Sequence, residues 1–241
     1  MTHLVCFSHH KGASRLFRFQ IFEPLARHLR LRKLRYEAQS GAFVFRETEM
    51  LELHNVLFHE LTHGAPHVVM LGNAGPRVVR ALTSATADFR GVHALRDPRQ
   101  IFVSSYFHHL EGHDIHWPGF YWEKLAEDRP ILQKLSREDG LLYELDNISA
   151  DILSQLVAWE PDERIMEVRV EDLTASPAAV TDALLTFLGI TDRPALDVRN
   201  ETSNPESQDW RRAFTPKIKN LFKDRYGELL IRLGYETGLD W

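Results

Sequence analysis

Two short stretches of the sequence carry residue types that could do chemistry together. The first is Ser8-His9-His10-Lys11-Gly12-Ala13-Ser14-Arg15, which follows the apolar run Leu4 to Phe7. A glycine-containing turn between a strand and a helix presents backbone N–H groups at the positive end of the helix dipole, where an anion is favoured. Lys11 adds a point charge and Ser14 a hydroxyl donor. The order differs from the G-x-x-x-x-G-K-[ST] of nucleotide triphosphatases, because the lysine precedes the glycine and no Ser or Thr follows it to hold Mg²⁺. The plain alternative is a strand-to-helix turn with solvated charges. The second stretch runs from Leu95-Arg96-Asp97-Pro98-Arg99 to Ser104-Ser105-Tyr106. Arg96 stands where a strand ends, the edge at which open α/β sheets bind ligands. Ser104, on the following helix, could meet Arg96 at one cluster of phosphate oxygens. The plain alternative is an arginine on a sheet edge and a serine on a polar helix face.

Other groups carry less. His59-Glu60-Leu61-Thr62-His63 spells H-E-x-x-H, which on a helix would bind zinc with the glutamate as base. Gly64 and Pro66 break such a helix at once, and no glutamate between Glu60 and Glu111 supplies the usual third ligand. No metal site is expected. His109, His113 and His116 read as histidines on a partly exposed helix and loop. The run Arg27, Arg30, Arg32, Lys33 and Arg35 reads as a solvated helix end. Cys6 reads as a small core residue.

These residues need elements to position them. Strands are expected at Leu4 to Phe7, at His67 to Leu71, at Gly91 to Leu95 and at Ile165 to Val170, with a weaker one at Ala42 to Phe45. Continuous apolar runs of this kind suit parallel strands buried on both faces. Between them the spacing turns helical: Phe17, Ile21 and Leu25, with Phe22, Ala26 and Leu29, fall on one face. Asp97-Pro98, Ser136, Ser176-Pro177 and Thr215-Pro216 mark helix starts, and Gly189 and Gly234 mark ends. The polar stretch from Asp197 to Asp209 reads as a long surface loop. Strands separated by helices predict a three-layer α/β fold, with a central, mostly parallel sheet and a P-loop-like strand–loop–helix. Without repeats or linkers, residues 1–241 read as one domain.

Composition excludes several classes. With 241 residues, 44% of them hydrophobic and 26% charged, the chain suits a soluble globular protein with a sufficient core. A net charge of −5 argues against non-specific nucleic-acid binding. A single cysteine excludes an intrachain disulfide framework. No stretch approaches the ~20 apolar residues of a membrane helix, and the N-terminus lacks the features of a signal peptide. A cytoplasmic protein is expected.

Taken together, the two stretches resemble the sulfotransferases that use 3′-phosphoadenylyl sulfate (PAPS). In that family a strand–loop–helix with lysine, glycine and Ser/Thr binds the donor's 5′-phosphosulfate, and an Arg-Asp-Pro-Arg strand end with a serine eight residues on binds its 3′-phosphate. Two later stretches look like the family's C-terminal half. One is Val168-Arg169-Val170-Glu171-Asp172-Leu173 with the helix ending Phe187-Leu188-Gly189-Ile190. The other is Trp210-Arg211 with Phe214-Thr215-Pro216 and the run to Glu236. The resemblance covers nearly the whole chain. It implies that Lys11, Gly12, Ala13, Ser14 and Arg15 hold the phosphosulfate, that Arg96 and Ser104 anchor the 3′-phosphate, and that His108 contacts the acceptor. The product would be adenosine 3′,5′-bisphosphate (PAP), with no metal required. The acceptor would be a hydroxyl or amine of a small molecule or carbohydrate.

The chain also departs from the family. Ala13 stands where glycine is usual, and Leu16 where an aromatic residue is frequent. Asn73 stands where many members carry a histidine base. An Arg-Lys-Gly lid is missing from Ser203 to Gln208, with Arg199 or Arg211 as substitutes. His10, beside Lys11, is the first candidate for the base, its ordinary pKa near roughly 6.5 suiting proton acceptance; a loop-fixing role is the alternative, and His108 and Glu47 follow. Rival readings are a catalytically silent nucleotide-binding protein, a P-loop-like kinase and, more remotely, a zinc hydrolase. The acceptor and the oligomeric state are not written in the sequence.

Overall fold

The computed structural model describes residues 2–37, 66–72, 75–76, 79–80, 82, 88–117, 120–199 and 209–241. The strands among them are β1 (His3–Ser8), β2 (Arg32–Glu37), β3 (His67–Gly72), β4 (Phe89–Leu95), β5 (His116–Trp117), β6 (Phe120–Tyr121) and β7 (Ile165–Arg169). The described residues gather into two compact units. The first draws on Met1–Gln39, Val44–Arg96 and Ala158–Glu201, the second on Asp97–Val157 and Thr202–Trp241.

The first unit is built on a five-stranded sheet in the order β2-β3-β1-β4-β7, with every neighbouring pair parallel. This is the α/β sheet that the apolar runs predict. β1 lies at its centre and every residue of it is buried. Alternation along the strand divides its side chains between two cores, since successive residues point to opposite faces. Leu4 and Cys6 pack with Phe17, Ile21, Phe22 and Leu25 from the helical segment after the loop, and with Leu184, Leu185 and Leu188. Val5 and Phe7 pack with Leu71, Phe89, Trp159 and Ile165 on the other face. Burial pushes the Cys6 thiol far up, so it is an inert core group.

β2 corrects the reading of the basic run as a helix end. The helix Glu23–His28 stops earlier, with Arg30 in the left-handed region at φ 56°. Leu31 N–H bonds Ala26 O, and Arg30 N–H bonds Arg27 O. That is a Schellman ending, which glycine usually supplies. Among the described residues the chain then enters the first strand in the sheet order, paired with β3. Charged residues suit an edge, because they discourage pairing with another molecule. They also hide the alternation that identifies a strand in sequence. Gly189 and Gly234 take the same left-handed role at φ 72° and 70°, as their positions predict.

The second unit is mainly helical: Pro98–Phe107, a π-helical turn His108–Gly112, Glu123–Leu132, Arg137–Asp146, Ile148–Val157 and Pro216–Arg232, with β5 and β6 paired antiparallel. Asp97, Ser136 and Thr215 cap three of these helices with their side chains. Phe102, Ile218, Phe222, Leu229 and Leu230 are buried, so the wide apolar face of the last helix is core. The candidate strand at Ala42 to Phe45, His59 and His63 of the H-E-x-x-H, Asn73, Glu47 and most of the loop from Asp197 to Asp209 lie outside the described residues. Among the described residues no helix is long and apolar enough to cross a membrane.

Candidate active site

The turn after β1 is held in a conformation that few sequences tolerate. Lys11 and Ala13 flank Gly12 in the left-handed region, at φ 58° and 63°. Gly12 N–H closes the turn onto His9 O at 2.9 Å. A Cβ at position 12 would lie 3.1 Å from that same oxygen, which accounts for the glycine. Left-handed residues with a Cβ cost roughly 1–2 kcal/mol each, so this loop stores strain. Ala13 accepts that strain and packs its methyl against the core below the sheet; Leu16, at the position of the family's aromatic residue, packs there too. The helix begins at Ser14, and its first internal bond is Phe17 N–H to Ala13 O. The amides left at the helix start are therefore those of Ser14, Arg15 and Leu16. Gly12's amide, one of the four assigned to the phosphosulfate, is spent inside the turn.

Lys11 and Arg96, 85 residues apart, come together here. Arg96 follows β4 directly and donates from Nη1 to Lys11 O at 3.1 Å. Half-buried, Lys11 has its pKa pulled down to about 8, first by burial and then by the guanidinium groups of Arg96 and Arg15. Three cations thus converge on one strained turn, and the groups acting on the lysine are themselves positive. Such an arrangement is costly alone and is relieved by an anion. His10 lies half-buried in the same loop, next to Lys11, and Arg15 is exposed at the helix start.

Behind the turn stands a cluster that sequence reasoning missed. His9 is buried, and its Nε2 lies 2.9 Å from Nε2 of His93, which is fully buried on β4. Nδ1 of His93 lies 3.3 Å from Glu167 Oε1 on β7. The indole of Trp159 stacks on His93 with ring centroids 3.5 Å apart. A histidine inside the apolar run Gly91 to Leu95 is the one trace of this cluster in the sequence.

The remaining predicted residues belong to the second unit. Ser104 is buried on the helix Pro98–Phe107. His108 opens the π-helical turn and packs edge-on to His113 at 4.6 Å. His109 differs from the expectation of partial exposure: it is fully buried, with Nδ1 3.0 Å from Glu144 Oε1, an atom that also accepts from Ser149 Oγ. Arg211 is exposed, lies over Trp210 at 4.7 Å and sits 3.5 Å from Asp209. In the first unit, Arg199 is paired with Asp197. Arg99, passed over in the sequence, is buried against Asp97 and Glu236 and packs on the rings of both Trp210 and Trp241. Among the described residues no three His, Cys, Asp or Glu side chains are grouped to hold a metal ion.

Comparison with known proteins decides the family. Residues 46–204, more than half of the chain, match the sulfotransferase domain. The chain belongs to the sulfotransferase family. The matched stretch contains Arg96, Ser104 and His108, while the Lys11 loop and Arg211 fall outside it. Solved sulfotransferases share the fold. Mouse sulfotransferase SULT7A1 complexed with PAP is 13% identical with a TM-score of 0.54, over 95% of this chain and 84% of that one. A sulfotransferase from Alicyclobacillus acidocaldarius is 14% identical with a TM-score of 0.53, over 97% and 94%. A search of curated proteins finds no match. This sulfotransferase therefore keeps the family's sheet and strand–loop–helix at low sequence identity.

Proposed function

We propose that this sulfotransferase uses PAPS as donor and moves its sulfuryl group to a hydroxyl or amine of a small-molecule or carbohydrate acceptor, releasing PAP. The observation that carries the reading is the convergence of Lys11, Arg15 and Arg96 on a strained turn at the carboxyl end of a parallel sheet. The solved neighbour complexed with PAP supports the choice of donor. The chain would act as one domain over residues 1–241, without metal or nucleic acid, in the cytoplasm.

In the reaction the acceptor oxygen or nitrogen attacks sulfur in line, and the bond from sulfur to the 5′-phosphate oxygen breaks. Negative charge grows on that leaving oxygen. Lys11, with the amides of Ser14 and Arg15 at the helix start and of Ala13 just before it, would stabilise it, and Gly12 would let the backbone approach. Arg96 and Ser104 would hold the 3′-phosphate, with Arg211 as a further cation. His108 would contact the acceptor. His10 would take the acceptor's proton, its imidazole being the titratable group next to Lys11 in the turn. Replacing His10 by asparagine should lower turnover about 10²-fold or more and remove the acid limb of its pH profile. Near-normal turnover with an unchanged profile would remove His10 from this role.

Arg96 provides the direct test of the donor. Arg96→Ala should weaken PAP binding by about 1.5–3 kcal/mol, the scale of a lost charge-assisted hydrogen bond. Binding of an analogue without the 3′-phosphate should weaken less, by the share that comes from freeing the Lys11 carbonyl. Calorimetry with both ligands, and ATP-Mg²⁺ as control, reads the difference. Equal losses for the two nucleotides would refute the 3′-phosphate assignment.

A further inference from the structure

The loop that carries Lys11 begins with a buried histidine whose proton is assigned by its neighbours. In the sheet register Phe7 of β1 faces His93 of β4, and His93 faces Glu167 of β7. His9, two residues beyond Phe7, reaches back to His93, so that three chain segments meet in one row. Two ring nitrogens 2.9 Å apart bond only when one carries a hydrogen and the other a lone pair. Glu167 is the third member, and an ionised carboxylate only accepts. It draws a proton onto His93 Nδ1, which leaves Nε2 of the neutral ring bare. The hydrogen between the two rings must then sit on His9 Nε2. The indole of Trp159 fixes both ring planes, lying face-on to His93 and edge-on to His9. Both histidines are buried, whereas the Glu167 side chain is 36% exposed, so the row runs from the start of the loop to solvent.

The geometry points to Glu167 and His93 as positioning residues that hold His9 in one tautomer and thereby fix the turn bearing Lys11. The turn is pinned at two places by the end of β4: His93 holds the His9 ring, and Arg96 holds the Lys11 carbonyl. His9 O in turn accepts Gly12 N–H, which transmits the first pin to the strained residues. An anchored turn keeps Lys11 half-buried next to Arg96 and Arg15. None of the three residues touches donor or acceptor in this scheme. The catalytic value of the device rests on the role proposed above for Lys11; the proton assignment does not.

The test uses the whole chain labelled with ¹⁵N-histidine, with His9→Asn and His93→Asn supplying assignments. Long-range ¹H–¹⁵N spectra at neutral pH should show His93 with its hydrogen on Nδ1 and His9 with its hydrogen on Nε2. Glu167→Gln, whose amide can donate or accept, should leave both rings in mixed tautomers while the chain stays folded. His93→Phe keeps a ring on Trp159 and removes both nitrogens. It should raise the Lys11 titration from about 8 by roughly one unit as the turn loosens, and weaken PAP binding about tenfold. His93 carrying its hydrogen on Nε2, or His9 unmoved by Glu167→Gln, would overturn the assignment whatever the donor. An unchanged Lys11 titration in His93→Phe would overturn the coupling to the turn, and should that variant not fold, Glu167→Gln must shift the same titration upward for the coupling to stand. A wild-type chain that shows the expected spectra but does not bind PAP would refute the donor reading and leave the row intact.

Discussion

Lys11→Ala lowers turnover by about two to three orders of magnitude while weakening PAPS affinity by roughly tenfold or less. The asymmetry follows from where charge develops. In the ground state the sulfate and phosphate charges are spread over many oxygens. As the S–O bond breaks, charge concentrates on the leaving oxygen, and a cation held there gains most in the transition state. Steady-state kinetics separate the two effects, and a loss of affinity with kcat unchanged would show that Lys11 merely binds. The lysine also sets a pH limb. Because burial and its two arginine neighbours pull it down to about 8, the free enzyme loses this charge as pH rises through that value. kcat/KM should fall above pH 8, and kcat at higher pH, since bound donor favours the charged amine. The linkage to stability has the opposite slope. Between about 8 and the ordinary 10.5, the unfolded chain binds the proton and the native chain does not, so stability rises with pH across that window. Lys11→Ala should abolish the slope and be the more stable protein at pH 7, a group kept for chemistry at the expense of folding.

Arg99→Ala costs about 3 kcal/mol of stability, the scale for breaking a buried ion pair from one side. The side chain is 3% exposed and its guanidinium meets two carboxylates and two indoles. Nε and Nη2 fork onto the Asp97 carboxylate at 2.8–3.2 Å, Nη1 meets Glu236, and Cζ lies 4.1 Å from the Trp210 ring and 4.7 Å from the Trp241 ring, two indoles set at right angles to each other. Truncation leaves two carboxylates without their counter-charge and two indoles facing a void. Thermal melts should fall by roughly 6–12 °C for a chain of this size. Arg99→Lys should recover less than half, since an ammonium has neither the fork nor the flat face. A loss below about 1 kcal/mol in denaturant titrations would mean that the cluster is only a surface association.

Arg99 also shows where reading a sequence stops. Asp97-Pro98 announces the helix start in the sequence, because a cap and a proline act over three or four residues. The Asp97 carboxylate does cap that start, bonding Arg99 N–H at 2.9 Å. Nothing local tells that the same carboxylate also neutralises the Arg99 guanidinium, or that Glu236, 137 residues on, completes the pair. β1, β3 and β4 were legible because the inner strands of a parallel sheet, buried on both faces, are continuously apolar; β7, last in the strand order, was legible through Ile165, Met166 and Val168 although Glu167 and Arg169 interrupt the run. β2 was not, because its charged residues Arg32, Lys33, Arg35 and Glu37 hide the apolar alternation of a strand. Gly189 and Gly234 were legible as helix ends; Arg30, in the same conformation, was not, since only the backbone reveals a left-handed arginine.

The site divides along the same line. By itself the sequence determined the glycine-containing turn after β1, the arginine at a strand end and the serine eight residues beyond it, since each is a short pattern with a local physical cause. Only the tertiary structure decided that Arg96 holds the Lys11 carbonyl, that Gly12's amide is used within the turn, and that His9 rather than His10 is the buried member of the histidine pair. Those facts depend on β1 and β4 lying side by side. Residues more than 80 positions apart acquire their protonation and their partners from the strand order, which no local preference encodes.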